Sequence, residues 1–242
     1  MGIISVESVS KNYKNVKALS NLCLQIEQGE LFGLLGVNGA GKTTLIKILC
    51  GLTKKSSGNV YINGLDLDTQ LNAIKEIVDI SPQETSVANN LSVKENLEFF
   101  ASIYNNSDSQ NINEIIQVFK LKEVLNQKAK TLSGGYKRRL SIAIALISKP
   151  KVLFLDEPTL GLDVFARREL WGIINKLKNK ITIILTSHYL EEIENLCDRV
   201  AILSKGKLLN VGTVQEIKQA TGADTFENAF VKLVENENEE NA

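Results

Sequence analysis

Leu31-Phe32-Gly33-Leu34-Leu35-Gly36-Val37-Asn38-Gly39-Ala40-Gly41-Lys42-Thr43-Thr44 is the stretch on which the fold turns. Its first five residues are an unbroken apolar run ending at Gly36, which reads as a buried strand. It continues into Leu45-Ile46-Lys47-Ile48-Leu49, whose apolar spacing suits a helix packed on a sheet. Gly36 to Thr43 matches G-x-x-x-x-G-K-[ST] in the strand-loop-helix context that this motif requires. Gly36, Gly39 and Gly41 let successive backbone N–H groups curl around phosphate oxygens, and the helix N-terminus adds positive potential. Lys42 brings a point charge to the β and γ phosphates of a nucleoside triphosphate, and the Thr43 hydroxyl can ligate Mg²⁺. Asn38, Ala40 and Thr44 complete the candidate phosphate cradle. The plainer alternative is a Gly-rich strand-to-helix turn.

A Mg-nucleotide site needs a second anchor for the metal. Asp156-Glu157 follows the apolar strand Val152-Leu153-Phe154-Leu155, at the carboxyl end where ligands bind in open parallel sheets. Asp156 can hold the metal or its water shell, and Glu157 can orient and deprotonate an attacking water. Helix capping or solvated charge is the other reading of the pair. Ile181 to Leu185 is a second continuous apolar run, and the two bracket a helix with Leu170, Ile173, Ile174 and Leu177 inward. This is α/β alternation around a mainly parallel sheet.

Outward from that core the pattern changes twice. From Gly2 to about Gln28, Ile4, Val6, Leu22, Leu24 and Ile26 alternate with polar residues, and Gly58 to Gly64 reads as a further strand of an N-terminal antiparallel sheet. Between about Leu91 and Ser148 helical periodicity dominates. Ser92-Val93-Lys94-Glu95 has capping-box spacing, and Ile112, Ile115, Ile116 and Phe119 share one apolar face. A single domain over 1–242 is expected: a nucleotide-binding core over 1–88 and 149–215, an inserted helical subdomain over 89–148, and a C-terminal helix with an acidic tail over 216–242. The last eight residues carry four Glu and no base, so a solvated, poorly ordered end is expected.

With 28 Lys plus Arg against 28 Asp plus Glu in 242 residues, no overall basic field exists to hold nucleic acid. No apolar run approaches the roughly 20 residues of a bilayer span, and the N-terminus has no secretory pattern. These features imply a cytoplasmic chain. Cys23, Cys50 and Cys197 have no metal-ligand spacing and suit small buried hydrophobes.

Leu132-Ser133-Gly134-Gly135, some twenty residues before the Asp156-Glu157 strand and followed by Lys137-Arg138-Arg139, resembles the signature motif of the ATP-binding subunits of ABC transporters. By chemistry alone, Ser133 with Gly134 and Gly135 makes either an ordinary helix cap or a second anion-binding helix N-terminus, one that would crowd the phosphates held by Gly36 to Thr43. The resemblance covers almost the whole chain. It implies a P-loop NTPase (RecA-like) core and an ATPase using ATP and Mg²⁺. It also implies a head-to-tail pair in which each chain's Ser133-Gly134-Gly135 closes over its partner's nucleotide, the partner being an identical chain or a similar subunit. Separate transmembrane permease subunits would receive the motion near Gln83 and Glu84 to Leu97, on the inner face of the membrane.

Weaker matches follow in the family's order. Tyr13 is similar to the aromatic residue that stacks on adenine, Gln83 to the glutamine touching metal and water, Asp163 of Gly161-Leu162-Asp163 to the aspartate reaching across the dimer, and His188 to the switch histidine at the γ-phosphate. Singly, each has a bland reading: surface filler, loop polarity, helix cap and structural histidine. Tyr136 stands where many members have Gln, and Thr159 where Ser is commoner. Lys137 to Ala143, Gly161 to Asp163 and Thr225 to Phe230 look most like the branch serving drug, sodium, lipid or polysaccharide exporters. A soluble relative acting on ribosomes or DNA is the alternative, but neither a heptad run nor a repeated phosphate loop appears. A GTPase is disfavoured because Asn175-Lys176-Leu177-Lys178 ends in Lys rather than the Asp that reads guanine.

Overall fold

The computed structural model describes residues 2–14, 16–104 and 109–239. Strands β1 (Ile4–Tyr13) and β2 (Val16–Ile26) form an antiparallel pair, and β3 (Leu31–Leu35) runs into helix α1 (Lys42–Leu49) through the glycine-rich loop. Next come β4 (Ser57–Ile62), β5 (Leu65–Asp66), α2 (Leu71–Lys75) and β6 (Val78–Ser81). Helices α3 (Val93–Ile103), α4 (Ser109–Val118) and α5 (Gly134–Ala145) make the central helical stretch. The chain then alternates through β7 (Val152–Asp156), α6 (Val164–Leu177), β8 (Thr182–Ser187), α7 (Leu190–Leu196), β9 (Arg199–Ser204) and β10 (Lys207–Gly212), and closes with α8 (Val214–Thr221) and α9 (Phe226–Glu239).

Two sheets result. The smaller has the order β2-β1-β4-β5 with antiparallel pairs, and the larger has β10-β9-β3-β8-β7-β6, parallel from β9 through β6. The large sheet is covered on both faces, which is why its strands read as unbroken apolar runs. Leu153, Leu155, Ile183 and Leu185 pack against α3, α5 and α6. The alternate residues Val152, Phe154 and Ile184, with Phe32 and Leu34, pack against α1 and the antiparallel sheet. The capping box at Ser92 and Glu95 is present, and Ile115, Phe119, Leu170, Ile173, Ile174 and Leu177 are buried.

Two expectations need correction. Cys23 is exposed, because β2 turns its side chain to the outer face, where it meets the Ser8 N–H at 3.2 Å. The acidic end is helical to Glu239, and Glu237 is buried against Lys207 at 2.9 Å, since α9 packs on the β9-β10 edge. The rest of that tail, 240–242, lies outside the described residues. Arg138 and Arg139, in the basic run that opens α5, are both buried.

Candidate functional site

The parallel strands bring four loops to one edge. In register, Leu35 lies beside Ser187, Thr186 beside Asp156, and Leu155 beside Ser81. The segments after β3, β8, β7 and β6 therefore emerge together, carrying the glycine-rich loop, His188, Glu157 and Gln83. This carboxyl edge is where an open parallel sheet binds its ligand. A cavity of about 810 Å³ opens there, lined by Asn38, Gly39, Ala40, Gly41, Lys42, Thr43, Thr44, Gln83, Glu157 and His188 among others.

The loop is shaped by its glycines. Gly41 has φ +106, and a Cβ there would stand 2.7 Å from Leu19 Cδ2 and 2.8 Å from Ala18 O. At Gly36 a Cβ would meet Leu203 O at 2.4 Å. Both positions sit where the loop is squeezed between the two sheets, so only glycine fits. Helix α1 starts at Gly41 with no side-chain cap and no acid in its first turn, so its first N–H groups are left facing the cavity. Lys42 is buried, and its Nζ donates to Gly36 O at 2.7 Å and to Val37 O at 3.3 Å. Burial pulls the ammonium below the ordinary lysine range, opposed by the charges of Glu157 and Asp156.

Asp156 ends β7 and is buried, accepting a hydrogen bond from Thr186 Oγ1 at 2.6 Å. The same hydroxyl accepts the Glu157 N–H at 2.9 Å. Glu157 adopts φ +47, a left-handed conformation uncommon for a residue with a side chain and concentrated at functional sites. Its Oε1 lies 3.3 Å from His188 Nδ1, and the His188 ring packs on that of Tyr189 with centroids 4.2 Å apart. A carboxylate, an imidazole and an ammonium thus surround one space. Thr43 and Gln83 line the same cavity, and Asp156 lies buried next to Glu157 behind it; their oxygens are too few for a closed cage but suited to Mg²⁺ held jointly with phosphates.

Other expected residues lie elsewhere. Tyr13 is half-exposed outside the cavity, opposite Val16, which lines it, and Lys11 Nζ sits 4.6 Å from its ring centroid. Ser133 caps α5 through the Tyr136 N–H at 3.4 Å, and both Ser133 and Gly134 are exposed and away from this chain's own cavity. Asp163 caps α6 through the Ala166 N–H at 2.9 Å. Sequence reasoning missed Thr186, and also the Val16-Lys17-Ala18 and Lys205 walls of the cavity. The turn after β9 is tied to the glycine-rich loop by the Gly206 N–H bond to Ala40 O at 3.0 Å, a contact that no local motif announces.

Fold and cavity together define a phosphate-loop nucleotide-binding protein. Residues 19–160 match the ABC transporter family, ABC_tran. The linearmycin resistance ATP-binding protein LnrL of Bacillus subtilis (strain 168) is 35% identical over 228 residues, covering 93% of this chain and 73% of LnrL. The probable multidrug ABC transporter ATP-binding protein YbhF of Escherichia coli (strain K12) is 34% identical over 241 residues, covering 96% of this chain but 42% of YbhF. A solved dimer of the ATP-binding cassette MJ0796, in a post-hydrolysis state with ADP and Pi, superposes with TM-score 0.77 at 26% identity, covering 87% of this chain and 98% of that one. The chain belongs to the ABC transporter family, as its ATP-binding part, and spans less than half the length of YbhF.

Proposed function

We propose that this chain hydrolyses ATP in a head-to-tail pair and powers export of a substrate through separate transmembrane permease subunits. The observation that carries the reading is the convergence of Lys42, Glu157, His188 and Gln83 on one cavity at the sheet's carboxyl edge. Lys42 and the α1 N-terminus would bind the β and γ phosphates, releasing Nζ from the carbonyls of Gly36 and Val37. Glu157 would take a proton from the attacking water, and His188, held by Glu157 and Tyr189, would orient it and the phosphoryl oxygens. Thr43, Asp156 and Gln83 are the residues that would hold Mg²⁺, which would neutralise negative charge on the phosphates. Asp156 stays oriented because Thr186 fixes one of its oxygens.

Pairing is supported by the exposed Ser133-Gly134 corner, which has a helix N-terminus to offer and no phosphate of its own to serve. The MJ0796 cassette, similar over most of this chain, was solved as a dimer. Tyr13 and Asp163 would act at the same seam, the first on adenine and the second across the interface. Among the described residues no helix is long and apolar enough to cross a membrane. Phe99 and Ile103, one turn apart on α3, and Tyr104 just beyond them are exposed and offer an apolar face to a permease subunit. LnrL and YbhF carry names of drug-resistance and multidrug function, which favours export over action on ribosomes or DNA. Replacing Glu157 with Gln tests the reading: phosphate release should fall by about 10²-fold or more while ATP binding persists. Undiminished release would overturn it.

A further inference from the structure

The helix that presents the Ser133 corner also holds the glutamine loop. Arg138, in the second turn of α5, is buried, and its guanidinium donates from Nη1 to Pro82 O at 2.7 Å and from Nη2 to Gln83 O. Ser141 lies three residues on, hence on the same helix face, and is also buried. Its hydroxyl is 3.1 Å from that of Ser81 and accepts the Ser86 N–H at 3.4 Å. One face of α5 therefore grips the segment on both sides of Gln83. A buried guanidinium is costly unless its donors are used, and here the planar fork spans two consecutive carbonyls, a match that an ammonium cannot reproduce. The charges of Asp156 and Glu192 favour the cation there, against burial.

We propose that Arg138 is a positioning residue for Gln83, latching the loop that carries it to the helix whose first turn presents Ser133 and Gly134. Displacement of Gln83 by a bound phosphate or metal is then passed along about 7.5 Å of helix to that corner. The inference deepens the ATPase reading and rests on it only for the second of two measurements.

The first is hydrogen exchange on the nucleotide-free full chain. Arg138→Met should raise exchange of amides 83–88 about tenfold, with amides 42–49 in α1 unchanged. The second is ATP turnover in a double-mutant cycle. Arg138→Met alone should lower kcat about tenfold with KM for ATP within about twofold, yet cost less than about twofold when added to Gln83→Ala. Arg138→Lys, a point donor that satisfies one carbonyl, should recover part of both losses. The latch is overturned if exchange at 83–88 does not change, if α1 loosens equally, or if Arg138→Met costs the same factor in both backgrounds. Should the wild-type chain release no phosphate, the ATPase reading fails and the exchange measurement alone decides the latch.

Discussion

Thr186 joins the two acids of the site with a single hydroxyl, donating to Asp156 Oδ1 and accepting from the Glu157 N–H. It is fully buried, so removing the hydroxyl leaves an N–H and a carboxylate oxygen to find other partners. Thr186→Val should cost about 1–3 kcal/mol of stability and lower ATP turnover about tenfold, while nucleotide affinity, set by the glycine-rich loop, stays within about twofold. Thr186→Ser should restore turnover; equal losses in both variants would show that the methyl group, not the hydroxyl, matters. Lys42, Asp156, Glu157 and His188 were legible in the sequence because each follows an apolar run that can only be a buried strand. Thr186 was not, since its role comes from the parallel register that sets it beside Asp156, thirty positions away. Lys205, in the turn after β9, and Val16, at the start of β2, escaped because only the folded chain brings them to the cavity wall.

Elements were legible where their periodicity or capping is local. Ser92 and Glu95 satisfy each other's backbone N–H groups at the start of α3, at 3.2 and 2.7 Å. Ser92→Ala should therefore cost about 1 kcal/mol, seen as a fall of about 2–4 °C in thermal midpoint, with ATP turnover unchanged at 25 °C. A midpoint equal to that of wild type would mean that the cap adds nothing beyond the packing of α3. Long-range packing was what the sequence hid. The acidic composition of α9 suggested a solvated tail, yet Phe226 and Ala229 seat it against Val200 and Ile202 of β9. Nor does the run Lys137-Arg138-Arg139 announce in sequence where its side chains go. In the fold α5 is inserted between α3, α6 and the β6 edge, so Arg138 turns to the carbonyls after β6 and Arg139 to Glu169 at 3.2 Å.

At the scale of the whole molecule, Glu192 of α7 ties the segment after His188 to α6. It is fully buried, and its Oε1 accepts the Trp171 indole N–H at 3.0 Å. Burial raises its pKa above the ordinary 4.5, opposed only in part by hydrogen bonds such as that from Trp171 and by the charge of Arg167. A raised acid keeps its proton in the fold after the unfolded chain has lost it, so its contribution is full below about pH 4.5 and is lost as pH rises through the higher folded value. Glu192→Gln keeps an acceptor for Trp171 and removes the titration. The thermal midpoint of the variant relative to wild type should therefore be higher at pH 8 than at pH 4.5, and a difference independent of pH would contradict this assignment.

At the same scale stands the proposed pairing, in which the nucleotide is closed in by the cavity of one copy and the Ser133 corner of another. Light scattering on the Glu157→Gln variant saturated with Mg-ATP measures this most directly. Molar mass should double on adding nucleotide, and Ser133→Arg should abolish the doubling without loss of ATP binding. A particle that stays monomeric at saturating ATP, or one that doubles equally well with arginine at position 133, would contradict it.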